Sequence, residues 1–182
     1  MKTKKNLVLL GMMGVGKTVI GKYVARRLKI NAFDIDKIIE KRNKIKIAEI
    51  FRTKGEVYFR KEEEFITIKY LNKKGSIISL GGGGFINNKI RKKVLSECIS
   101  VWLNVNLETI YTRLKNSKKR PLIYKNDQNN IDKIFMERKK IYSLANHRIN
   151  CDNLNLNQIS SRIIKLYEWN KVINLNLNAV FY

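Results

Sequence analysis

Six short stretches of this chain hold the residues best equipped for chemistry. In "GMMGVGKT" (11–18), glycines at 11 and 16 precede Lys17 and Thr18, which is the G-x-x-x-x-G-K-[ST] spacing of a phosphate-binding loop. An apolar run, "NLVLL", leads into it, and a helical pattern, "GKYVARRL", leaves it. Backbone N–H groups and a helix N-terminus then face one anion, with Lys17 reaching the β- and γ-phosphates and the Thr18 hydroxyl ligating Mg²⁺. "DID" puts Asp34 and Asp36 at a predicted strand end, on one side of an extended chain. Beside bound MgATP, such carboxylates hold metal-bound water, orient an acceptor hydroxyl or accept its proton; without it, they read as a polar strand end and helix cap.

The other four stretches concern the acceptor and the transferring group. "GEVYFRKEEE" (55–64) spaces Arg60 and Glu63 one helical turn apart, so the carboxylate pre-orients a planar fork suited to a carboxylate ligand; a solvent-exposed ion pair is the competing reading. "GGGG" (81–84) at another strand end lets backbone N–H groups approach a ligand closely. "KKRPLIYKND" (118–127) is basic, holds the only proline and interrupts two helical segments, as a lid delivering Arg120 would, or as a solvated loop would. Further on, "ERKKIY" (137–142) offers Arg138 on a helix as a second anion clamp.

Something must hold these stretches together, and the hydrophobic pattern says what. Candidate strands at 6–10, 32–36, 76–80, 100–105 and 148–152 alternate with candidate helices near 17–28, 37–41, 56–72, 87–95, 107–115, 130–145 and 157–169. That alternation calls for an α/β fold, a parallel sheet with helices on both faces, and ligands at the carboxyl ends of the strands. At 182 residues the expectation is one domain over 1–170, with a lid at about 114–128. Residues 171–182 read as a C-terminal tail, either loosely held or adding an edge strand.

Composition narrows the class of protein. No run of about 18 apolar residues marks a membrane span, and the first strand and phosphate loop account for the N-terminus without a signal peptide, so a cytoplasmic protein is expected. Cys98 and Cys151 lack metal-type spacing and read as reduced structural thiols, and His147 stands alone as a packing or surface residue. The 38 Lys and Arg against 15 Asp and Glu give a formal charge of +23, but the lysines are scattered rather than gathered in one tract. The expectation is attraction of anionic substrates, without specific nucleic-acid binding.

Taken in order, "GMMGVGKT", "DID", "GEVYFR" with Glu63, "GGG", "RPLI" and "ERKKIY" resemble shikimate kinase, a family of nucleoside-monophosphate-kinase-like P-loop enzymes, over about residues 5–165. The resemblance implies a three-layer P-loop fold with a five-stranded parallel sheet in the order 2-3-1-4-5. It also implies transfer of the ATP γ-phosphoryl group to the 3-hydroxyl of shikimate, a step of chorismate and aromatic amino acid biosynthesis, by a monomer. By matching position, Gly14, Val15, Gly16, Lys17, Thr18 and Val19 would bind ATP phosphates, and Arg113 would flank the adenine. Thr18 would ligate Mg²⁺ directly and Asp34 through water. Asp36, Arg60, Gly81, Gly82, Gly83 and Arg138 would bind shikimate, with Asp36 also a candidate base, and Lys17 and Arg120 would act on the transferring group. The chain departs from the pattern at Ile35, where a small hydroxyl residue is common, at Phe85, where a smaller residue is usual, and in "RKKIY", which lacks a proline-leucine pair. A gluconate kinase or a noncatalytic P-loop binding protein are the alternatives.

Overall fold

The computed structural model describes residues 5–115 and 128–179. The first strand, β1 (Asn6–Leu10), is buried at every position because it lies mid-sheet with a neighbour on each edge and helices above and below. It pairs in parallel with β3 (Ser76–Ser79), setting Leu7 beside Ile77 and Val8 beside Ile78. On its other edge it pairs with β4 (Cys98–Asn104), setting Leu7 beside Ile99 and Leu9 beside Val101. β2 (Asn31–Asp34) and β5 (His147–Asn150) complete the sheet among the described residues, all parallel, in the order β2-β3-β1-β4-β5. This is the expected three-layer α/β fold.

Parallel pairing requires helical crossovers, and their ends are set by local chemistry. α1 (Lys17–Leu28) starts directly after the glycine-rich loop and stops at Lys29, whose left-handed backbone donates to Ala25 and Arg26 carbonyls. α2 (Ile35–Asn43) is capped by the Asp34 carboxylate, which accepts the Lys37 N–H at 3.1 Å. α3 (Ile47–Leu71) is broken at Gly55, where φ 78 and ψ 169 are open to glycine and strained for other residues. A 3₁₀ turn (Gly84–Ile86) leads into α4 (Asn88–Glu97), capped by Asn87. α5 (Leu107–Lys115) and α6 (Gln128–Tyr142) are tied by a hydrogen bond from the Tyr111 hydroxyl to Asp132. α7 (Leu156–Ala179) packs beside α1, with the Arg27 guanidinium donating to Ser161 Oγ at 3.2 Å.

Three expectations change. β2 ends at Asp34, so Asp36 belongs to the first turn of α2; the Asp34 cap starts the helix two residues before an alternating reading ends the strand. α3 begins at Ile47 rather than near 56, because a first helical segment joins the second across the kink at Gly55, and the apolar pattern marks only the second. The segment 171–179 is helical and not an edge strand: no glycine or proline from 156 onward stops α7. Ile35 and Phe85, the two departures beside site motifs, are fully buried in the core.

Asn6 illustrates how the crossover from α3 to β3 is secured. Fully buried, it donates Nδ2 to the Leu71 carbonyl at 2.7 Å and accepts the Ser76 N–H at 3.0 Å. Asn6→Ala strands both groups, and urea titration is expected to show a loss of about 2–4 kcal/mol. A second expectation concerns alkaline pH. Burial pushes the Cys98 and Cys151 thiols up to about 11 from an ordinary 9.0. The folded protein therefore holds these protons in a window where the unfolded chain releases them, so stability present below pH 9 is lost as pH rises towards 11. In the Cys98→Ala/Cys151→Ala variant, the fall in the urea midpoint across that window should be shallower than in the wild type.

Candidate active site

β1 ends at Leu10 and the chain turns through Gly11–Gly16 into α1, directing the helix N-terminus at the space beyond the sheet. Lys17 Nζ lies over this turn, donating to the carbonyls of Gly11 at 2.6 Å and Met12 at 3.0 Å. The Thr18 hydroxyl donates to Asp34, so the phosphate loop and the end of β2 meet through a hydroxyl and a carboxylate. A cleft of about 240 Å³ opens there, lined by Gly14, Gly16, Lys17, Thr18, Val19, Asp34, Asp36 and Gly82 among others. Val15 itself is buried, and its carbonyl accepts from Arg113 Nη1 at 3.3 Å, which fixes this cation on α5 against the back of the loop.

Across the cleft lies a compact arrangement of charges. Arg60 Nη1 donates to Glu63 Oε2 at 2.8 Å, while its Nε and Nη2 reach Glu56 Oε1 at 3.1 and 2.9 Å. Burial opposes the charge on Arg60, and the two carboxylates outweigh it, raising the guanidinium above its ordinary range. Glu63 is buried, and that burial pushes its carboxyl up; Arg60 and Arg138 pull it down, while Asp36 pushes it further up. These groups are close only because the turn after β3 carries no side chains. A Cβ at Gly81 would stand 2.5 Å from Asp36 Oδ1 and 2.6 Å from Glu63 Oε1, and one at Gly82 would stand 2.9 Å from Arg138 Nη1. At Gly83 a Cβ would overlap the Arg60 guanidinium.

Two links around this turn carry little signal in the sequence. The buried Tyr142 hydroxyl donates to the Gly82 carbonyl, and burial pushes it up to about 12. Its place four residues after Arg138 puts both on one face of α6, which is the only local hint. Glu64 accepts from Asn87 Nδ2 and Lys89 Nζ, both at 2.8 Å, and so pins α3 to the N-terminus of α4.

The structure thus gathers Lys17, Thr18, Asp34, Asp36, Arg60, Gly81, Gly82, Gly83 and Arg138 around the carboxyl ends of β1, β2 and β3. Arg120 and residues 116–127 of the expected lid lie outside the described residues. His147 is half-buried beside Asn170, and burial lowers its imidazole pKa, as suits a packing residue. Among the described residues no three His, Cys, Asp or Glu side chains gather as metal ligands. The hydroxyl of Thr18 and carboxylate of Asp34 are instead a hard-oxygen pair of the kind that holds Mg²⁺ together with water and substrate phosphates.

Comparison with known proteins identifies the family to which the chain and its fold are similar. The family model for shikimate kinase matches residues 13–168. A shikimate kinase of Sulfurihydrogenibium sp. is 41% identical over 160 residues, covering 88% of this chain and 96% of that protein. Among solved structures, shikimate kinase from Acinetobacter baumannii in complex with shikimate superposes with a TM-score of 0.86 at 27% identity, over 93% of this chain and 96% of that one. Shikimate kinase from Aquifex aeolicus superposes with a TM-score of 0.79 at 34% identity, over 91% of this chain and 98% of that one.

Alanine substitutions in the glycine turn test whether close backbone approach is what matters. Gly83→Ala must displace Arg60, and Gly81→Ala must separate Asp36 from Glu63; a shift on the scale of 1 Å is expected to lower phosphoryl transfer by roughly 100-fold in a folded protein. Gly84→Ala is the control, because its Cβ would meet Glu63 and Leu80 at 3.6 Å, an ordinary contact. Turnover measured by ADP release should separate the first two variants from the third.

Proposed function

This chain belongs to the shikimate kinase family, and from that premise we propose that it transfers the γ-phosphoryl group of ATP to the 3-hydroxyl of shikimate, giving shikimate 3-phosphate and ADP. The observation that carries the reading is that the cleft lined by the phosphate loop, Asp34 and Asp36 continues at Gly81–Gly83 into an arginine held by carboxylates, with Asp36 and Glu63 both against Gly81 and Arg60 against Gly83.

Each group then has a task set by its chemistry. Lys17 and the N–H groups of Gly14–Val19 neutralise the phosphates, and Arg113 steadies the loop where the adenine side of the nucleotide would lie. Thr18, whose hydroxyl meets Asp34, would hold Mg²⁺ directly and Asp34 would hold it through water; the ion would supply charge compensation for the phosphates. Arg60 and Arg138 bind the carboxylate of shikimate, and Gly81–Gly83 present backbone to its ring. Asp36 holds the reacting hydroxyl in line with the γ-phosphate and takes its proton. Arg120 closes over the transferring group from the lid. Monomeric action in the cytoplasm is part of the same proposal.

Coupled ADP-release assays across shikimate, gluconate and nucleoside monophosphates test the assignment. Turnover is expected with shikimate; preference for gluconate, or no turnover with any acceptor, overturns it. Within the same assay Arg60→Ala separates the two halves of the cleft. Loss of a charge-assisted contact to a carboxylate is worth about 1.5–3 kcal/mol, so shikimate binding should weaken by roughly one to two orders of magnitude while ATP binding changes little. Arg60→Lys should recover only part, since an ammonium lacks the planar fork.

A further inference from the structure

Arg60 has five N–H donors, and the structure spends three of them before any substrate arrives. Glu63 takes one from Nη1 and is buried against the glycine turn; Glu56 takes Nε and Nη2 together and is on the solvent side, its side chain 62% exposed. A Cβ at Gly83 would overlap Nη1 and stand 2.9 Å from Cζ and 3.1 Å from Nη2, so the guanidinium occupies space that only a glycine leaves open. A guanidinium held by Glu63 alone would still swing about its Cδ–Nε bond, because one contact at one terminal nitrogen does not fix a plane. Glu56 removes that freedom. Its own position is secure: it is the first residue after the break at Gly55, where the second half of α3 begins and free N–H groups favour an acid.

We infer that Glu56 is a second positioning residue of the acceptor site, locking the Nε–Nη2 side of Arg60 so that one N–H on each terminal nitrogen is aimed at the substrate carboxylate. The inference rests on shikimate as acceptor and adds to it a residue that touches no substrate. Its expected effect is confined to one parameter. An exposed pair contributes modestly, so Glu56→Ala should raise the KM for shikimate by ~2- to 5-fold, leaving kcat and the KM for ATP at wild-type values. Glu56→Gln, whose amide oxygen still accepts the two N–H groups, should recover part of the loss. High salt, which screens the exposed pair in the wild type, should narrow the gap between wild type and Glu56→Ala.

Steady-state kinetics of the full chain with ATP and shikimate, at low and high salt, read all of this, with circular dichroism melting as the check on folding. An unchanged or lower shikimate KM in Glu56→Ala overturns the inference, the lower value meaning that Glu56 competes with substrate. So does an equal shift in the KM for ATP, a fall in kcat, or equal effects of Gln and Ala. Wild-type protein without shikimate turnover overturns the functional reading itself, whereas an active wild type with an indifferent Glu56→Ala overturns this inference alone.

Discussion

The Glu63 carboxylate is the constraint around which the acceptor side of the molecule is arranged. A carboxyl taken out of water is unfavourable as an anion unless cations and donors surround it, and burial pushes Glu63 towards its protonated form accordingly. Arg60 answers from one turn away and Arg138 from a distant helix, while Asp36 approaches from α2. That charge draws Arg60 and Arg138, and so α3 and α6, to one point, against the repulsion of the Asp36 carboxylate. The turn at Gly81–Gly83 must stay bare because any side chain there would occupy the space these groups share.

On the nucleotide side the organising fact is a bond between two motifs. The Thr18 hydroxyl donates to Asp34, and Asp34 also caps α2 by accepting from Lys37. One carboxylate thus caps the helix and also bonds the phosphate-loop threonine, so the cap reading of Asp34 leaves room for the role proposed for it in the cleft. Four of the chain's 15 acids bear on the site, Asp34 and Asp36 in the lining of the cleft and Glu56 and Glu63 on Arg60, against a chain carrying +23 overall. The surrounding positive field favours the approach of anionic ATP and shikimate, while the local acids orient the cations that receive them.

The departures from the family pattern fall where they disturb little. Ile35 separates the two aspartates and Phe85 follows the glycines, yet both side chains face the core, so the cleft keeps its polar lining. Without a proline, α6 runs as one helix from Gln128 to Tyr142, which leaves Tyr142 free to bond the Gly82 carbonyl from the same face as Arg138.

By itself the sequence determined what depends on near neighbours. The apolar runs and glycine punctuation announced the parallel α/β sheet; the spacing of Gly11, Gly16, Lys17 and Thr18 announced the phosphate loop; and Arg60 with Glu63 announced a helical pair. It placed Asp36 at a strand end, because alternation continues in a pattern until a cap stops it, and only the folded geometry of Asp34 shows the stop. The tertiary structure decided which pairs lose contact with water. Glu56 and Glu63 are both within one turn of Arg60, yet one is exposed and the other buried, and nothing in their spacing distinguishes them. Desolvation is set by what packs on top, and here that is a glycine turn some twenty residues later and an α6 tyrosine some eighty residues later.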